Sequence, residues 1–292
     1  MSTSVLAANK TSATSLVAKY PILTFIFLVY ALTWPFLILE VLASYGMLLF
    51  ELPMPIMIMQ AFMPGVAAVI VTGMISGKAG IRALLSKLLI ARVGFRWYTF
   101  ALFCLAVVSA AAIALNNLFG TSVIPLLSTK MPPFSGPIEL LVNIVVLFIF
   151  STIFNSEELG WRGFALPRLQ KKYNALTSSL ILSIPWLFFH LPLFFKLGSS
   201  QADSSFIAYG VGIIAQTVIF TWMYNNTRGS VLLAVLLHAS SNTWTQIFSI
   251  NSDATNHFLA WMMTFTIVIV AVIVTVASGA ENLSRTNARI QE

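Results

Sequence analysis

The sequence predicts an all-α integral membrane protein, a bundle of about eight transmembrane helices that encloses a polar cavity. Hydrophobic residues make up 58% of the chain, above the roughly 45–50% that is usual for soluble domains. Charged residues make up only 9%, and the mean hydropathy is +0.90. Apolar runs of about 20 residues recur along the chain, and each is long enough to cross a hydrocarbon core of about 30 Å as a helix.

Eight such runs follow one another in order. They lie at roughly residues 21–46, 53–76, 97–118, 137–156, 175–195, 206–225, 230–250 and 258–279. The fifth and seventh runs contain polar residues, so we expect these two helices to face the inside of the bundle. Residues 1–20 are predicted to be a short tail and not a cleaved signal, because the first apolar run is longer than the 7–15 residues of a signal core. Residues 21–280 then form one membrane domain, and residues 281–292 form a C-terminal tail.

Basic residues are concentrated in alternate connections. The connections 76–96 and 157–174 are rich in Lys and Arg, and the first of them contains no acid. The positive-inside rule therefore places both termini in the cytoplasm, for a protein of the plasma membrane. Apolar and basic residues alternate at helical spacing over residues 77–94, which predicts a helix at the membrane interface. Membrane lipids, and not nucleic acid, are the expected partners of these charges.

An adjacent pair of acids, Glu157 and Glu158, ends the fourth run and precedes Arg162. Ionisable groups at membrane depth cost about 2.5–3.5 kcal/mol each on insertion scales, so they indicate function. On a helix, Glu158 and Arg162 share a face and can pair, whereas Glu157 is rotated by about 100°. We expect an orienting Glu158–Arg162 ion pair and a Glu157 that faces a cavity. The competing interpretation is an interfacial helix whose acids contact water. Glu40, in the first run, is expected to be hydrated near the outer interface.

Two histidines lie within later apolar runs. His190 follows Trp186 by four residues, and His238 precedes Asn242 by four residues, so each pair shares a helix face. A single histidine in a helix bundle is usually a hydrogen-bonded packing residue. Two of them, on different helices and accompanied by an acid pair on a third, predict a shared polar site.

These residue types suit the activation of water. Glu157 can act as a general base. His190 and His238 can hold the water by hydrogen bonds, or they can ligate a divalent metal such as zinc with Glu157 as third ligand or as base. Asn242 offers an amide N–H to an oxyanion, an interaction worth about 2.7–4 kcal/mol. The sequence has neither a His-Glu-x-x-His signature nor a Gly-x-Ser-x-Gly elbow, so it predicts an acyl hydrolase but does not choose between metal and metal-free chemistry.

The order of these motifs resembles that of the intramembrane proteases related to the type II CAAX prenyl endopeptidase, also called the Abi or CAAX-protease-and-bacteriocin-processing family. The family pattern is Glu-Glu-x-x-x-Arg, then Phe-x-x-x-His, then His-x-x-x-Asn, on successive helices. The matching positions are Glu157, Glu158 and Arg162, then Trp186 and His190, then His238 and Asn242. The resemblance covers about residues 150–245, and it departs from the family where Trp186 replaces Phe.

The resemblance implies an eight-helix protease whose catalytic cavity opens to the membrane and to the cytoplasmic side. Glu157 would be the base, His190 and His238 the water or metal holders, and Asn242 the oxyanion donor. Glu158 and Arg162 would support Glu157. The implied substrate is a membrane-anchored protein or a peptide. In a bacterium, the implied role is peptide maturation or self-protection against peptide toxins.

Two other functions remain open from the sequence. The first is a non-catalytic membrane protein, an immunity factor or scaffold whose polar groups serve packing. The second is a transporter in which Glu157, His190 and His238 relay protons. Transporters often have helix breaks in matching halves, and the sequence lacks such a match. Replacing Glu157 by Gln would abolish a protease and leave a scaffold intact.

Overall fold

Helices occupy all eight predicted spans. The computed structural model describes residues 15–127, 137–248, 250, 256–285 and 288–291, so residues 1–14 of the predicted N-terminal tail lie outside it. The helices are α1 (Pro21–Ser44), α2 (Met54–Met59), α3 (Met63–Ser86), α4 (Phe95–Phe119), α5 (Pro137–Ile153), α6 (Leu166–Gln170), α7 (Ala175–Phe189), α8 (Phe206–Asn226), α9 (Val231–Ile247) and α10 (His257–Ser278). The predicted all-helical membrane bundle is thereby confirmed.

The helices fall into two length classes. Within the described residues, five segments are long and apolar enough to cross a membrane, namely α1, the continuous segment Met54–Leu89, α4, α8 and α10. Helices α5, α7 and α9 have 17, 15 and 17 residues, fewer than the roughly 20 that a full crossing needs. The protein is an integral membrane protein whose shorter helices accompany five long ones.

Helix α9 is the most enclosed of the three helices α5, α7 and α9. Eleven of its 17 residues are buried, and these include His238, Ser240 and Ser241. It packs against α4, α5 and α8. Polar side chains on α9 therefore meet protein groups, as the sequence predicted for this span.

A kink at Gly77 separates the apolar and basic parts of α3. Gly77 has φ +60° and ψ −156°, a backbone conformation that a residue with a Cβ adopts only with strain. Beyond the kink the chain is helical to Ser86, and a 3₁₀ turn follows at Lys87–Leu89. The predicted helix in the basic connection is therefore present, and it ends before residue 94.

The turn after α5 is fixed to the start of α3. The Ser156 hydroxyl donates to the carbonyl oxygen of Phe62 at 2.8 Å and accepts from the backbone N–H of Gly65 at 3.1 Å. A Cβ on Gly65 would lie 2.5 Å from the Ser156 Oγ, so only glycine allows this approach. The turn that precedes Glu157 consequently has a defined position.

A π-helix, Leu159–Ala165, follows this turn and leads into α6. All seven of its residues are buried. A Cβ on Gly160 would lie 2.8 Å from the carbonyl oxygen of Pro64 and 2.9 Å from the Phe25 ring, so glycine is required for this packing as well. Segments of π-helix are rare and are frequently found at functional sites.

The chain after α10 packs back onto the bundle. Leu283 is fully buried. The Asn225 side chain donates to the carbonyl oxygen of Asn282 at 2.8 Å, and the Gln170 side chain donates to that of Ile290 at 2.8 Å. The described part of the C-terminal segment is thus attached to α6 and α8, and its cytoplasmic location stays a prediction.

Candidate active site

The four predicted catalytic side chains line one cavity. The cavity has a volume of about 530 Å³, and Glu157, His190, His238 and Asn242 all contribute to its wall. They come from the turn after α5, the end of α7 and the middle of α9. The structure therefore brings together groups that are up to 85 residues apart in the chain (157 to 242).

Trp186 holds the Glu157 carboxylate in place. Its indole Nε1–H donates to Oε2 of Glu157 at 3.0 Å. The backbone N–H of Glu157 donates to Oδ1 of Asn155 at 3.0 Å, which fixes the main chain at the same point. A Phe side chain at position 186 could not supply this N–H. Trp186 is thus a hydrogen-bond donor to Glu157 as well as an aromatic packing residue.

Glu158 and Arg162 form the predicted ion pair. Nη1 of Arg162 lies 3.0 Å from Oε1 of Glu158, and both side chains are fully buried. Oε1 of Glu158 also lies 2.8 Å from Nδ1 of His238. This contact between α9 and the start of the π-helix was not predicted, because the two residues are 80 positions apart.

The Arg162 guanidinium lies between two aromatic rings. Its carbon is 4.2 Å from the centroid of the Trp186 ring and 4.2 Å from that of Phe220. Within the described residues, Nε and Nη2 of Arg162 have no hydrogen-bond partner, so the rings and Glu158 stabilise the buried charge. Arg162 thereby contacts the indole that donates to Glu157, and its predicted support of Glu157 stays a prediction.

Both histidines use Nδ1 for protein contacts. Nδ1 of His190 lies 2.8 Å from the carbonyl oxygen of Trp186, and Nδ1 of His238 contacts the Glu158 carboxylate. Since a carbonyl or carboxylate oxygen only accepts, each Nδ1 carries the proton. In a neutral imidazole, Nε2 is then an acceptor, and in both histidines it is the nitrogen left for a ligand of the cavity.

Asn242 lies on the wall of the cavity one helical turn beyond His238. Its Nδ2 donates to the Ser151 hydroxyl at 3.1 Å. A carboxamide nitrogen carries two protons, so this bond occupies one of them. The second N–H can serve an oxyanion in the cavity.

Helix α8 contributes lining residues that the sequence analysis missed. Tyr209, Gly212, Ile213 and Gln216 lie on the wall of the cavity, and the Tyr209 ring packs 5.8 Å from the His190 ring. These positions are spaced at i, i+3, i+4 and i+7, which is one face of a helix. Tyr209 and Gln216 are two polar side chains on one face of an otherwise apolar helix. This pattern could have identified the lining face of α8 from the sequence.

The arrangement does not form a metal site as it stands. One carboxylate and two imidazoles are a suitable donor set for zinc. Over the described part of the chain, however, no three His, Cys, Asp or Glu side chains are grouped closely enough to hold a metal ion. Histidines that bind a metal through Nε2 commonly donate from Nδ1 to the protein, as His190 and His238 do. The donor types therefore suit a metal, whereas the spacing of these groups is not that of a formed site.

Comparison with known proteins gives an independent view of this region. Residues 137–244 match the family described as type II CAAX prenyl endopeptidase Rce1-like. A segment of 127 residues is 34% identical to CAAX prenyl protease 2 of Methanococcus maripaludis, which is 41% of this chain and 47% of that protein. The chain thus spans about half the length of this curated relative. The segment 137–244 contains all the residues of the predicted motif. The resemblance inferred from the sequence is confirmed for this segment: residues 137–244 are similar to the Rce1-like family of type II CAAX prenyl endopeptidases.

Proposed function

We propose that this protein is an intramembrane endopeptidase that hydrolyses a peptide bond of a membrane-associated protein or peptide. The observation that carries the proposal is the convergence of one carboxylate, two imidazoles and one carboxamide on a single cavity of an integral membrane protein. The relationship of this segment to the CAAX prenyl endopeptidases supports a protease over a scaffold or a transporter.

Glu157 is the general base. Arg162 pairs with Glu158 and has no place on the cavity wall, so it neutralises that carboxylate and leaves Glu157 as the carboxylate that faces the cavity. A water next to Glu157 gives up a proton to it while the oxygen attacks the carbonyl carbon of the substrate. The remaining O–H of that water donates to the acceptor nitrogen Nε2 of one of the two histidines, His190 or His238, and this bond orients the lone pair of the water.

Asn242 stabilises the tetrahedral intermediate. As the carbonyl oxygen becomes an oxyanion, the available N–H of Asn242 donates to it. Glu157, now protonated, returns its proton to the nitrogen of the leaving amine, so the C–N bond breaks and the carboxylate is regenerated. Every proton in this cycle is carried by a group that lines the cavity.

The composition of the cavity suits a substrate peptide that lies partly in lipid. Leu147, Phe150 and Phe154 form an apolar part of the wall, which also contains polar groups of α8 and α9. An extended peptide with apolar side chains can occupy this part while its scissile bond meets Glu157. The basic connections support an orientation with both termini in the cytoplasm, for a protein of the plasma membrane.

The test is proteolysis by purified, reconstituted protein against a panel of membrane-anchored and peptide substrates. Wild type is compared with Glu157→Gln and His238→Ala, each with and without a chelator. Glu51→Gln is the matched control, because Glu51 is exposed and lies outside the cavity. We expect both site variants to lose cleavage, and the control and the chelated wild type to retain it.

Two results would contradict the proposal. Cleavage by Glu157→Gln at the wild-type rate would show that Glu157 is not the general base. Absence of wild-type cleavage across the panel, together with a proton-coupled flux that requires Glu157, would indicate a transporter instead.

A further inference from the structure

A second cavity lies away from the active site, between α1, α3 and α6. Its volume is about 840 Å³, and it shares no lining residue with the active-site cavity. Its apolar wall is formed by Ile22, Leu23, Ile26, Ile75, Leu84 and Ile181. Leu23 is 65% exposed, so this cavity is a groove that opens on the outer face of α1. We refer to it as the α1–α3 groove.

The rim of the α1–α3 groove is strongly basic. Five cationic side chains line it, while no Asp or Glu does so. The five are Lys19, Lys87, Arg168, Lys171 and Lys172. They come from the chain before α1, the end of α3, and α6 with the turn that follows it. Separate parts of the chain thus bring positive charge to the same place.

Two of these cations have positions fixed by the π-helix. Nη1 of Arg168 donates to the carbonyl oxygen of Phe164 at 2.9 Å, and its guanidinium stacks 3.7 Å from the Phe164 ring centroid. Nζ of Lys87 donates to the carbonyl oxygen of Gly163 at 2.6 Å. The remaining three, Lys19, Lys171 and Lys172, are exposed side chains. The groove therefore combines two cations held by backbone carbonyl groups with three exposed ones.

We propose that the α1–α3 groove binds an anionic phospholipid. The phosphate lies among the basic side chains of the rim, and an acyl chain lies along the apolar wall formed by α1 and α3. Basic pockets between membrane helices, at the headgroup level, have the charge and the polarity that such a lipid requires. The bound lipid would contact the C-terminal end of the π-helix, and the N-terminal end of the same helix directly follows Glu158.

The residues before the groove are a poor alternative occupant. Residues 1–14 contain Lys10 and no Asp or Glu. This segment would add positive charge to a rim that already has five cations. A lipid phosphate supplies the complementary charge, and its chains supply the complementary apolar surface.

The test counts lipids bound to the purified full chain by native mass spectrometry. The protein is titrated with phosphatidylglycerol and, separately, with phosphatidylcholine of the same chain length. The variant is Lys19→Gln, Lys171→Gln and Lys172→Gln combined. Each cation near a membrane surface contributes about a fivefold factor in affinity for anionic lipid, so we expect the triple variant to weaken phosphatidylglycerol binding by roughly a hundredfold.

The control removes the same charge from the neighbouring surface. It combines Lys78→Gln, Arg82→Gln and Arg92→Gln, which lie outside the α1–α3 groove. We expect one tightly bound phosphatidylglycerol in wild type and in this control, and no displacement by inorganic phosphate. Equal weakening of phosphatidylglycerol binding by both triple variants would show that only the general surface charge matters, and it would overturn the proposal. Equal binding of the two lipids, or binding that appears only after residues 1–14 are removed, would also overturn it.

Discussion

Replacing Arg162 tests how the buried charges of the site are stabilised. Arg162→Met keeps an unbranched apolar side chain between the Trp186 and Phe220 rings, each of which is 4.2 Å from the guanidinium. It removes the charge that faces Glu158, whose side chain is fully buried. His238 is then the remaining hydrogen-bond partner of that carboxylate among the described contacts.

The expected cost can be worked out from these contacts. Loss of one partner of a buried ion pair typically lowers the free energy of unfolding by about 3–5 kcal/mol. Each desolvated cation–π contact contributes up to about 2 kcal/mol, and a methionine sulfur against the same rings recovers about 0.3–1.5 kcal/mol each. Because the sulfur–aromatic contacts offset much of the lost cation–π energy, the loss of the ion pair dominates. We therefore expect Arg162→Met to lower the free energy of unfolding by about 3–5 kcal/mol.

The assay is reversible denaturant unfolding in detergent micelles, with two comparison variants. Arg162→Met combined with Glu158→Gln removes the uncompensated charge but keeps an acceptor for His238, so it should be more stable than the single variant. Arg92→Met, at an exposed arginine, should change stability by less than about 0.5 kcal/mol. A cost below about 1 kcal/mol for Arg162→Met, or a double variant that is no more stable than the single variant, would show that Arg162 does not stabilise the buried Glu158 carboxylate.

Three further predictions concern positions around the site. Trp186→Phe removes the N–H that donates to the Glu157 carboxylate but keeps an aromatic ring, so we expect peptide cleavage to fall about tenfold without being abolished; an unchanged rate would contradict the proposed positioning role. Lys196→Met leaves the buried carboxylate of Glu40 without its cation, which is 2.6 Å away, and should lower the denaturation midpoint by an amount equivalent to about 1–3 kcal/mol. Gly160→Ala places a Cβ 2.8 Å from a carbonyl oxygen, whereas the nearest atoms for Gly163→Ala are side-chain methyl groups at 3.3 Å. Thermal unfolding should therefore show a loss of about 1–3 kcal/mol for the first and a clearly smaller loss for the second.

The helical fold was largely accessible from the sequence because apolar length is a strong local signal. The third span, predicted at residues 97–118, is the helix Phe95–Phe119. The motif spacing also placed Glu158 and Arg162 on one face, and their pair is present in the structure. These predictions depend on residues that are close in the chain.

Features that depend on residues far apart in the chain could not be predicted from the sequence. Glu40 was expected to be hydrated, but this prediction was wrong: Glu40 is buried and contacts Lys196, 156 positions later. The contact of Glu158 with His238 and the N–H that Trp186 gives to Glu157 likewise join separate helices. Local periodicity carries no information on such partners, because they are set by how the helices pack.

The measurement that tests the central claim most directly is the rate of substrate cleavage by Glu157→Gln in the reconstituted protein, beside wild type and at matched thermal stability. A general base contributes about 10²–10⁴-fold to the rate. We expect Glu157→Gln to lose at least a hundredfold in cleavage rate while it unfolds at the wild-type temperature. Cleavage within a few-fold of the wild-type rate would contradict it.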